Sequence, residues 1–102
     1  MSEEIIYQLL SGLGYPVAYD HFDKPVTSRP FILYRNADVE SFKADDINYF
    51  KPHNYEINLI TDKKDIIVEN RLETLLTDNH LPFNKDEDFI ESEKIYQITY
   101  EI

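Results

Sequence analysis

The chain has no cysteine and no tryptophan, which rules out a disulfide framework and a thiolate metal site and permits a reducing compartment. Glycine is scarce: Gly12 and Gly14 are the only two. A phosphate cradle needs glycines ahead of a helix, and Gly12-Leu13-Gly14 follows one. No apolar run approaches the roughly 20 residues that span a bilayer. Met1-Ser2-Glu3-Glu4 is acidic where a secretory leader would be basic. The expectation is a soluble cytoplasmic protein with no membrane contact. Basic residues are outnumbered, ten against twenty acids, for a formal charge of −10 and a pI near 4.5. That balance repels phosphate backbones over a Debye length of about 8 Å and disfavours nucleic-acid gripping.

What is present suffices for one core. The chain has 102 residues, the size of a single domain, with 42% hydrophobic residues, eight Tyr and six Phe. Ile5, Ile6, Leu9, Leu10 and Leu13 recur at helical spacing and predict a helix from Ser2 to Leu13, with Ser2 as its cap. Gly12 and Gly14 are expected to stop it through left-handed backbone positions, and Pro16 prevents its resumption. Val17–Tyr19 and Phe31–Arg35 read as strands. Between Asn36 and Asn54 aromatic and acidic residues interleave, as in a projecting hairpin or a functional loop.

Tyr55–Thr61 alternates as a half-buried strand does, although Ile60 breaks its polar side. A second helix is expected over Lys63–Asn79, capped by Asp62 with Asp65 at the third position. Leu81–Lys85 reads as a short strand, Asp86-Glu87-Asp88 as a turn, and Lys94–Ile102 as a last alternating strand. The predicted fold is α+β in the order αβββαββ: a small, mostly antiparallel or mixed sheet with both helices on one face and the other face left for a neighbour.

Catalytic chemistry finds little support. No Gly-x-Ser-x-Gly elbow or Cys nucleophile exists, and His21 with Asp23 reads as a solvent-facing loop pair. Asn84, Asp86 and Asp88 fit the first, third and fifth positions of a calcium loop, but Phe89 replaces the required Gly and Ile95 the closing Glu. These acids are expected in a solvated hairpin turn. His21, His53 and His80 lack the spacing of a zinc pair. The expectation is a non-enzyme without cofactor or metal.

Two surfaces qualify as contact sites. Asp65, Glu69 and Glu73 stand at successive i, i+4 positions, either as an acidic stripe that meets a basic partner or as an ordinary exposed face. In the middle segment Phe42, Tyr49 and Phe50, beside Asp45 and Asp46, either anchor in a neighbour's pocket or cover the sheet's edge.

Gly14-Tyr15-Pro16-Val17-Ala18-Tyr19, Pro30-Phe31-Ile32-Leu33-Tyr34 and Phe42-x-Ala44-Asp45-Asp46-x-x-Tyr49 are followed by Tyr55-x-Ile57-x-Leu59-x-Thr61-Asp62-Lys63-Lys64-Asp65. Glu91-Ser92-Glu93, Tyr96-Gln97 and Tyr100-Glu101-Ile102 close the series. In this order the sequence resembles, over nearly its whole length, the tail-completion or head-to-tail joining (neck) proteins of siphophages and prophages from Gram-positive hosts. The resemblance implies a small α+β sheet with helices to one side, in a subunit that assembles as a hexameric ring at the head-tail junction of the virion. Its implied partners are its own copies, the major tail protein or tail terminator below, and the head connector or stopper protein above. DNA would pass through the lumen, and a ring of six would carry roughly −60 formal charge, suited to letting DNA slide. Two alternatives stand beside this reading: a tail terminator that stops tube growth, and a small acidic DNA mimic that inhibits a host protein.

Overall fold

Apolar spacing of three and four in the first dozen residues takes the form of helix α1, Glu3–Ser11. The computed structural model describes residues 3–24, 29–36 and 55–102. Strands β1 (Val17–Tyr19), β2 (Phe31–Asn36) and β3 (Tyr55–Thr61) follow, then helix α2 (Ile66–Asp78) and strands β4 (Asn84–Ile90) and β5 (Ile95–Glu101). The order αβββαββ and the α+β class agree with the sequence reading. Ser2, Phe42, Asp45, Asp46, Tyr49 and Phe50 lie outside the described residues.

Among the described residues, five strands form one mixed sheet in the order β1-β2-β3-β5-β4. Only β1–β2 is parallel; the other neighbours are antiparallel. Because β3 and β4 both run against β5, they run parallel to each other, and α2 is the crossover between them with β5 inserted in the gap.

Register sorts the side chains into rows across the sheet, since alternate residues face opposite sides. One row runs Val17, Ile32, Leu59, Ile98, Glu87, and the next Tyr19, Tyr34, Ile57, Tyr100, Lys85. Ile6 and Leu10 of α1 and Val68, Leu72 and Leu76 of α2 pack on these rows in one buried cluster, so both helices cover the same face. The other face runs from apolar Phe31, Leu33 and Ile60, through Asn58, Gln97 and Thr99, to Asp86 and Asp88 on β4. Ile60, which interrupts the polar alternation of β3, is buried on this outer face beside Phe31.

Helix ends differ from expectation for local reasons. Helix α1 stops at Ser11, and only Gly14 takes a left-handed conformation, at φ +90. Gly12 is instead a tight spot, where a Cβ would stand 3.3 Å from the Leu9 carbonyl oxygen. Helix α2 is capped by Asp65, whose carboxylate accepts the Val68 N–H at 3.2 Å, and not by Asp62, which is held by Arg29 at 2.7 Å. At its C-terminus the Leu81 N–H reaches the Leu76 carbonyl and the His80 N–H that of Thr77, with His80 at φ 58. This is a Schellman stop with histidine at the usual glycine position.

The acids Asp86, Glu87 and Asp88 are not a turn. They pair with Thr99, Ile98 and Gln97 inside β4, and the chain reverses only beyond them, over Glu91–Lys94. The strand forms despite poor propensity because β5 supplies a continuous ladder and the edge position leaves Asp86 and Asp88 in water.

Leu72 is fully buried between α2 and the sheet, so Leu72→Ala should cost about 2–5 kcal/mol in urea unfolding. Ile67→Ala, on a side chain 74% exposed, should change stability by less than about 0.5 kcal/mol.

Candidate functional site

Where the two core rows reach β4 they change from apolar to charged, and α2 answers with charges of its own. Glu69 and Glu73, one turn apart, lean from the border of the core face toward β4. Lys85 stands between them, its Nζ 2.8 Å from Glu69 Oε1 and 2.7 Å from Glu73 Oε2. Lys64, just ahead of the helix, lies 3.0 Å from Glu69 and also bonds Glu87. At the other end Tyr100 donates its hydroxyl to Glu73 at 2.8 Å. The result is an alternating chain: Tyr100, Glu73, Lys85, Glu69, Lys64, Glu87.

Glu69 is at the centre, with its side chain only 3% exposed. Burial alone would push its carboxyl up, but hydrogen bonds and charge from Lys85 and then Lys64 outweigh that and hold it below the ordinary carboxylate value. Lys85 is held above the usual lysine value by Glu69 and then Glu73. Lys64 is raised in the same way, by Glu87 first and Glu69 second. Burial pushes the Tyr100 phenol well up, and the Glu73 carboxylate adds to it, so the phenol remains a donor.

The predicted stripe is therefore divided three ways. Asp65 caps the helix, Glu69 is buried in the network, and Glu73 bridges Lys85 and Tyr100, so the stripe is not an exposed helix face. Lys64, Lys85, Glu87 and Tyr100 had no place in the sequence reading as partners of the stripe. The signal for Lys85 and Glu87 was their i, i+2 spacing, which a turn assignment at Asp86–Asp88 conceals.

A second polar cluster lies on the outer sheet face. Asn58 Oδ1 accepts from Thr99 at 2.8 Å and Gln97 at 3.2 Å, while the Asn58 amide donates to Glu56 at 3.2 Å. These bonds span β3 and β5 and leave the face polar at its centre. On the far side of α2 a shallow groove of about 480 Å³ is lined by Leu13, Ile67, Asn70, Arg71, Thr74, Leu75 and Asp78. Arg71 bonds the Tyr15 hydroxyl at 2.6 Å and the Leu13 carbonyl at 3.1 Å, tying α2 to the end of α1. His21 and Asp23 are 3.6 Å apart and largely in solvent.

Chemically, the alternating chain is a clamp. Each lysine bridges two carboxylates, and the buried Glu69 takes both. Among the described residues, no group of three or more His, Asp or Glu is placed to hold a metal ion, and no helix is long and apolar enough to cross a membrane. No protein-family model, curated protein or solved structure matches the chain.

Two outcomes test the clamp. Glu69 binds its proton less readily when folded, so its contribution is fully present above pH 4.5 and is lost as pH falls through the folded value. Lys85 holds its proton more tightly when folded, so its contribution is present below pH 10.5 and is lost as pH rises through the folded value. Urea midpoints should thus be level between about pH 6 and 9 and fall on both sides, with a shallower acid limb in Glu69→Gln. Lys85→Met leaves Glu69 with one lysine; since Lys85 is about a third exposed, the cost should be about 1–3 kcal/mol, below that of a fully buried pair. Adding Glu69→Leu should recover part of that loss, giving a coupling energy above about 0.5 kcal/mol in a double-mutant cycle.

Proposed function

We propose that this chain is a structural assembly protein of a long-tailed phage or prophage, a ring subunit that completes the tail and joins it to the head connector. The reading rests on the sequence resemblance, and one structural observation supports it. A five-stranded α+β sheet carries both described helices on one face, as the resemblance implies. The opposite face is covered by neither helix and changes from apolar on β2 to acidic on β4.

Such a plate suits a ring. Closed rings are built from heterologous contacts, in which one patch meets a different patch of the next copy, and the outer face and the far side of α2 differ in chemistry. The clamp serves the same role by fixing α2 to the sheet, so that the two surfaces keep a constant angle. In this proposal the ring's other contacts are the tail tube or its terminator below and the connector or stopper above, and DNA threads the lumen.

The test is removal of the chain from a phage that encodes it. Electron microscopy of the lysate should show filled heads beside separate tails of normal length. Joined infectious particles would overturn the proposal, and tails of uncontrolled length would assign the chain to tube termination instead.

A further inference from the structure

Strand β4 is an edge of an unusual kind. Edge strands expose a row of unpaired N–H and C=O groups, and proteins blunt them by shortening, bulges, proline or charge. β4 is seven residues long, pairs with β5 at every position from Asn84 to Ile90 without a bulge, and contains no proline. Six of its seven residues are exposed, and among the described residues no strand pairs with its other side. Charge is the one device left, and it has a single sign on the outer face: Asp86 and Asp88, followed in the hairpin turn by Glu91 and Glu93. None of these four acids has an ion-pair partner among the described residues. Lys85 and Lys64 are committed to Glu69, Glu73 and Glu87, and Lys94, next to Glu93 in the turn, forms no ion pair among the described residues.

Charge of one sign is selective. A second copy of β4 laid along this edge would bring carboxylates against carboxylates, whereas a strand with lysine or arginine at alternate positions would bring opposite charges into register. Asp86 and Asp88 sit on one face roughly 6.8 Å apart, the repeat at which an added strand presents successive side chains to the same face. On the helix-side face, Phe89 is 49% exposed against Tyr96, with ring centroids 5.0 Å apart, and offers an apolar contact to the same strand.

We infer that the β4 edge is a docking site for an extended basic segment of a partner protein, added to the sheet as a sixth strand. Backbone hydrogen bonds supply the binding, Asp86 and Asp88 select alternating cations, and Phe89 accepts an apolar residue from the opposite side of the segment. This surface is independent of the assembly reading, so either can fail while the other holds.

The probe is the capped peptide Thr-Lys-Val-Lys-Val-Thr, titrated into the isotopically labelled full chain. Amide shifts and slowed hydrogen exchange should concentrate in residues 84–90, and affinity should fall with added salt. The same peptide with alternate backbone nitrogens methylated keeps its charge but loses its donors, and it should not bind. Asp86→Asn with Asp88→Asn should weaken binding roughly three- to tenfold with an unchanged melting temperature. The inference is overturned by equal binding of the methylated peptide, by undiminished binding to the double variant, by shifts mapping to the α2 groove, or by self-association of the chain through residues 84–90.

Discussion

The strand pairing of β3 with β5 is the constraint from which the other positions follow. It aligns Leu59 with Ile98 and Ile57 with Tyr100, all fully buried, and so creates the apolar rows on which both helices pack. A slip of one residue would turn Ile57, Leu59, Ile98 and Tyr100 to the outer face and bring Asn58, Gln97 and Thr99 under the helices. The register is held from both sides: by apolar burial on one face and by the Asn58 hydrogen bonds on the other.

The clamp between α2 and β4 is a consequence of that geometry. Apolar rows cannot extend to the edge strand without leaving an exposed hydrophobic stripe, so the rows end in Lys85 and Glu87, and α2 supplies the complement. Burying Glu69 is costly in isolation, and two lysines offset the cost. A clamp of this type adds little net stability over an apolar contact; what it adds is direction, because ion pairs tolerate fewer orientations of the helix than a greasy patch does. Its lysines are held on the helix side of the sheet, so neither opposes Asp86 and Asp88 on the outer face.

The elements legible in the sequence were those with a strong local period: α1, β3, α2 and β5 each carry alternation or helical spacing, and with them came the class and the order. What was not legible depended on distant partners. Arg29, 33 residues away, occupies Asp62 and passes the capping role to Asp65. The charged run from Asn84 to Asp88 has turn composition, and only its ladder with β5 makes it a strand. The stripe Asp65, Glu69, Glu73 was visible as a spacing, but its neutralisation required knowing that Lys85 and Glu87 share one face of β4.

The inserted position of β5 bears on how the molecule is made. The polypeptide emerges from the ribosome with β3 long before β5, yet β5 is the strand that flanks β3 on its open side. Until residues 95–101 arrive, Ile57 and Leu59 have β2 on one side and no ladder on the other. The nascent chain thus holds β3 half-paired while α2 and β4 are being made, and the sheet closes only after residues 95–101 have emerged.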